Sequence, residues 1–163
     1  MKLILSFLII LSMSVSFADD GKKIKTINAY NKKYHDIEKL IDPLKKTVII
    51  FSVSWCSPCK VIKKKLEENL DLNYSELQIL YIITDQDNKG QRSEDGMSNP
   101  SFAKSLEDMG QGYWPFILLF EPGSKTPISK FPVIEGYIDY CPDKLFYDRI
   151  MDFVKDGSVC QEN

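Results

Sequence analysis

Two cysteines with two residues between them, in Trp55-Cys56-Ser57-Pro58-Cys59-Lys60, are the residues of this chain best placed to do chemistry. At that spacing the sulfurs can close a small disulfide ring and open it again. The preceding run, Thr47 to Ser54, is apolar and rich in β-branched residues. It reads as a buried strand with the cysteine pair on its exit loop. A helix starting at the first cysteine would aim its unpaired N–H groups and its dipole at that sulfur and favour the thiolate. Cys56 is therefore the candidate nucleophile and Cys59 the resolving cysteine, and the reading requires sulfur 56 to be exposed at the helix tip. Zinc is the competing use of such a pair. Cys141 and Cys160 form no second close pair, however, and His35, the only histidine, lies far upstream in a polar stretch. Neither a metal nor a cofactor is assigned.

The elements that must hold this pair fit one domain, since 163 residues suffice for a proper core and fall short of two ordinary domains. The first stretch reads as a leader. Met1-Lys2 is a positive start, Leu3 to Val15 is apolar, and Ser16-Phe17-Ala18 is a small-x-small cleavage site, so residues 1–18 are expected to be a signal peptide. The apolar stretch is short for a span of about 20 residues, and no stable membrane insertion is expected after cleavage. A periplasmic or secreted location follows, where disulfides persist. The formal charge of −2 implies no field for nucleic acid or acidic lipid.

Residues 19–29 read as a loose or strand-like lead-in. Tyr34, Ile37, Leu40, Ile41 and Leu44 then recur at helical spacing and predict a helix ending near Pro43. After the strand at 47–53 and the cysteine loop, a helix is expected over 57–69, with Val61, Ile62 and Leu66 as its apolar stripe and Pro58 in its first turn. Leu77 to Ile83 is the next buried strand, and strand, helix, strand in this order argues a right-handed crossover with a parallel pair. The polar segment 84–100 imitates the start of a calcium loop at Asp85, Asp87 and Gly90. Lys89 occupies a ligand position and Gly96 stands where the closing glutamate belongs, so the segment reads as a surface insertion. Asn99-Pro100 opens a helix through Met109, Phe116 to Phe120 is a buried strand, and the turn at Glu121 to Ser124 sends Ile128 to Ile134 back antiparallel. A last helix is expected over 142–155.

With these elements in order, the chain resembles the thioredoxin superfamily over residues 30–156. The Trp-Cys-x-Pro-Cys-Lys motif after a strand carries the likeness, as does the series of helix, glycine break, Pro115 and strand from Asn99 to Phe120. The resemblance implies an α/β thioredoxin fold, a central mixed β-sheet flanked by helices on both faces, with 157–163 as a tail. It also implies that Pro115 is cis and lies against the cysteine pair, and that Trp55, Ser57, Pro58, Trp114 and Pro115 contact substrate. Cis is inexpensive only at X–Pro bonds, and a proline opening a strand removes no interior ladder bond. Two positions depart from the pattern. Thioredoxins place a buried aspartate six residues before the first cysteine, where this chain has Ile50, and the lysine of the following strand is replaced by Tyr81. Without that carboxylate, proton transfer at Cys59 falls to water, a neighbouring side chain or the substrate.

The implied activity is that of an extracytoplasmic thiol-disulfide oxidoreductase acting on protein disulfides or dithiols, reductase- or isomerase-like, with a membrane electron-transfer partner. The alternative is a non-catalytic or client-specific binding module of the same fold, for example in cytochrome maturation or envelope assembly. Cys141 and Cys160 flank the last helix, which at 1.5 Å per residue would hold them about 20 Å apart, against the roughly 7 Å limit between linked Cα atoms. Three readings stand: a second disulfide between them with a shorter helix, a tail folding Cys160 elsewhere, or free or intermolecular thiols.

Overall fold

The structure, a computed structural model, describes residues 24–69, 75–109, 114–132 and 146–156. The leader, Cys141, Cys160 and the tail lie outside these residues. Nine elements follow in order: β1 (Ile24–Asn28), α1 (Tyr34–Glu38), β2 (Lys46–Ser52), α2 (Ser57–Asn69), β3 (Leu77–Ile83), α3 (Pro100–Asp108), β4 (Phe116–Phe120), β5 (Ser129–Pro132) and α4 (Phe146–Asp156). The strands form one mixed sheet in the order β1-β3-β2-β4-β5. β1 and β2 both run parallel to β3, while β4 is antiparallel to β2 and to β5. The segment read as a lead-in thus supplies an edge strand, with Ile24 and Ile27 turned to opposite faces.

β2 is buried on both sides from Thr47 to Ser52, as a largely apolar run at the centre of a sheet covered on both faces requires. Its alternate residues serve two cores. Val48 and Ile50 pack with Ile79, Tyr81, Ile117 and Leu119 under α2 and α4. Ile49 and Phe51 pack with Leu80, Ile82 and Phe116 under α1 and α3. The second core is built on aromatic rings. The Phe51 ring lies 5.9 Å from that of Phe102, 6.1 Å from Tyr34 and 6.3 Å from Phe116, centroid to centroid.

Three local differences from the sequence reading have physical causes. α1 ends at Glu38 rather than near Pro43. Pro43 disfavours helical backbone at Asp42, and the Gln78 side chain captures the departing chain, donating to Leu40 O and accepting from Asp42 N–H. Leu44, read as helical and inward, is exposed. Val61 is also exposed, because on α2 the face toward the sheet is taken by Cys59, Ile62 and Leu66. The 84–100 segment is no loose surface insertion. Thr84 and Asp85 are fully buried, and Ser93 nearly so. A short hairpin forms around the Gln86–Arg92 bridge, its turn closed by the Asp87 carboxylate, which accepts from Lys89 N–H and Gln91 N–H.

Tyr34 gives the fold a measurable alkaline limit. Its phenol is pushed up from 10.0 to about 12, first by burial and then by the Glu38 carboxylate nearby. The folded chain therefore holds this proton more tightly than the unfolded chain. The associated stability is fully present below pH 10, and is lost as pH rises through about 12. Denaturant midpoints are expected to fall across that window, and less steeply in Tyr34→Phe.

Candidate redox site

β2 delivers the chain to the cysteine loop from inside the sheet. After Ser52 the backbone turns so that Cys56 N–H donates to Val53 O at 3.0 Å. The Cys56 carbonyl then accepts Lys60 N–H at 3.4 Å, which makes Cys56 the capping residue of α2. Its Sγ accepts Cys59 N–H at 3.2 Å, doing the work that a serine or aspartate oxygen does at other helix starts. Cys56 and Cys59 are joined as a disulfide with Cα atoms 5.4 Å apart. Pro58 stands in the first turn, where its missing N–H has no helical acceptor to lose. On reduction, the same N–H and the same helix end face a Cys56 thiolate.

The sequence reading required an exposed sulfur, and here the structure differs. Cys56 is 3% exposed and Cys59 is fully buried. Cys59 faces the core from α2, and Cys56, bonded to it, belongs to the same buried cluster as Ile50, Val53, Ile62 and Tyr81. Trp55, Ser57 and Pro58 remain at the surface around it. Trp114 is partly buried and packs on both cores, including the one that holds the cysteines. The Trp114–Pro115 peptide is cis, as expected. Pro115 lies one residue beyond the Phe51–Phe116 pair, beside the end of β2 that leads into the cysteine loop. The β2–β4 pairing thus brings the entry to the cysteine loop and Pro115 to the same end of these two strands.

Ile50 leaves no carboxylate beneath the disulfide, and a pair of hydroxyls occupies the same face. Ser52 Oγ donates to Val53 O at 3.1 Å and so accepts from Tyr81 Oη at 2.9 Å. Burial raises the Tyr81 phenol, the Ser52 bond works in the opposite direction, and the Glu67 charge raises it further. Lys63 Nζ lies 5.2 Å from the Tyr81 ring centroid. Tyr81, standing where the resemblance implies a lysine, is thus a neutral polar group in the core.

A buried acid is present elsewhere. Asp85 Oδ1 accepts Ser54 N–H at 2.7 Å, and Oδ2 accepts Ser54 Oγ–H at 2.6 Å. The next residue, Trp55, is 53% exposed, and its indole N–H donates to Gly96 O at 3.0 Å. The 84–100 segment therefore holds both residues immediately before Cys56. Sequence reasoning missed Asp85, Ser54 and Gly96 as parts of the site. Asp85 was legible only as part of a calcium-loop-like pattern with Asp87 and Gly90, and only the β2–β3 pairing, ending at Ser52–Ile83, brings 54 and 85 together. Among the described residues no group of three or more His, Cys, Asp or Glu gathers as a metal site. No described helix is long and apolar enough to cross a membrane.

No protein-family model matches the sequence, and no curated protein matches it. Among solved structures, chloroplastic thioredoxin z superposes over 81% of this chain and 91% of its own, with a TM-score of 0.53 and 17% identity. The fold is that of thioredoxin. Schistosoma mansoni thioredoxin matches over 80% of this chain and 94% of its own, at 16% identity and a TM-score of 0.49. Oxidised thioredoxin O2 from Arabidopsis thaliana matches over 70% and 85%, at 14% identity and 0.47. Within the thioredoxin fold of this chain, the disulfide at the α2 start and the cis proline at the β4 start lie at the same end of the neighbouring interior strands β2 and β4.

Proposed function

We propose that this chain is a thiol-disulfide oxidoreductase acting on protein disulfides, reductase- or isomerase-like, and working outside the cytoplasm. The observation that carries the reading is the Cys56–Cys59 disulfide at the start of α2, with Cys56 Sγ already accepting a helix N–H. In the reduced chain, Cys56 thiolate attacks one sulfur of a substrate disulfide, forming a mixed disulfide and releasing the other sulfur as a thiolate. Cys59 thiolate then attacks Cys56 Sγ, regenerates the internal disulfide and frees the second substrate thiol. Two electrons have passed to the substrate. A membrane dithiol partner returns them by the same exchange in reverse. Trp55, Ser57, Pro58, Trp114 and Pro115 would receive the substrate chain, Trp55 offering an exposed apolar face beside the sulfur. The extracytoplasmic setting is supported by the leader-like composition of residues 1–18.

The near-complete burial of both sulfurs favours a second reading, a binding module whose disulfide stays closed. Equilibration with glutathione separates the two. An oxidoreductase is expected to exchange readily at a potential between about −300 and −200 mV and to accelerate dithiothreitol-driven insulin reduction. A slowly exchanging pair below about −300 mV, without acceleration, would give the module instead.

A further inference from the structure

Among the described residues, Asp85 is the only charged side chain that is buried. Nothing in the exchange chemistry above uses it, yet both its carboxylate oxygens accept from one residue, Ser54, two positions before Cys56. A carboxylate enclosed this way is costly unless fully bonded. Two residues of backbone span at most about 7 Å, and with the hydrogen bond and the cysteine side chain added the charge lies within roughly 14 Å of sulfur 56. Salt screens poorly through a protein interior, and a negative charge at that range opposes formation of a second one.

We propose that Asp85 is a positioning residue of this site, fixing the Ser54-Trp55 approach to Cys56 and setting through its charge how readily that sulfur ionises. The α2 end favours the thiolate, and Asp85 restrains it. The inference rests on the redox reading of the pair. The other charges on the packed elements whose side chains are described are Lys46 on β2, Lys60, Lys63, Lys64, Lys65, Glu67 and Glu68 on α2, and Asp152 and Lys155 on α4. All of them reach solvent at least in part. From the hairpin side come Asp87, Lys89, Arg92, Glu94 and Asp95, likewise in contact with solvent. Tyr81 on β3 is a raised, neutral phenol. Among the described residues, Asp85 alone acts from inside.

The test is the pH dependence of Cys56 alkylation in the reduced full chain, read by mass spectrometry without any substrate. Asp85→Asn keeps the shape and removes the charge. It is expected to lower the Cys56 midpoint by about one unit, roughly a tenfold gain in thiolate below that midpoint. Ser54→Ala removes one hydrogen bond, keeps the charge, and is expected to move the midpoint much less. An unchanged or raised midpoint in Asp85→Asn, or an equal shift in Ser54→Ala, overturns the inference and leaves the redox reading standing. Should Asp85→Asn not fold, carboxyl carbon NMR of the unaltered protein decides. The Asp85 signal must step at the Cys56 midpoint, and a flat signal overturns the proposal. A reduced Cys56 that resists alkylation at every pH overturns both.

Discussion

Replacing Cys56 by serine is expected to return dithiothreitol-driven insulin reduction to the uncatalysed rate, a loss of at least about a hundredfold relative to the intact chain. The reason is geometric as well as chemical. Cys56 caps α2 and its sulfur faces a helix N–H. Cys59 is fully buried behind it and cannot meet a substrate first. Cys59→Ser should therefore behave differently, attacking once and stalling, so that a mixed disulfide through Cys56 accumulates to about one per chain. Non-reducing electrophoresis and peptide mass read that adduct directly. Equal insulin activity in Cys56→Ser and the unaltered chain would remove the oxidoreductase assignment.

The second large effect is on stability. Phe51→Ala removes the ring that Tyr34, Phe102 and Phe116 surround, at a fully buried position in the central strand. The loss is expected at about 3–5 kcal/mol, from lost transfer energy and the cavity left behind. Against a typical total of about 5–15 kcal/mol this is a large share, and the melting temperature should fall by roughly 10 °C or more. Thermal and denaturant melts check it. A change under about 1 kcal/mol would mean that the aromatic core is not packed as described.

Most of this architecture was legible because its signals were strong and local. The strand Leu77–Ile83 and the helix Ser57–Asn69 have the predicted bounds, since unbroken apolar runs and a first-turn proline leave little choice. The α1 boundary was not legible. Leu40, Ile41 and Leu44 keep helical spacing, but a glutamine from another strand, Gln78, holds the chain out of the helix. The cysteine pair and Pro115 could be read from motif and order. The burial of the sulfurs could not, because it depends on the disulfide turning Cys56 toward Cys59 and the core. Asp85 was hidden for a related reason. Its role arises from strand pairing across thirty-one positions, and its sequence neighbours are those of an ordinary polar loop.

The sheet also acts as a partition between two chemistries. On one side, among the described residues, the cluster built on aromatic rings from α1, α3 and the strands holds no cysteine. On the other lie the disulfide, Tyr81 and the helices α2 and α4. Alternate residues of β2 report to different sides, so robustness and electron chemistry can be adjusted independently within a single strand. Ile49 and Phe51 govern how firmly the molecule stands, while Ile50 and Ser52, their immediate neighbours, govern the medium in which sulfur exchanges partners.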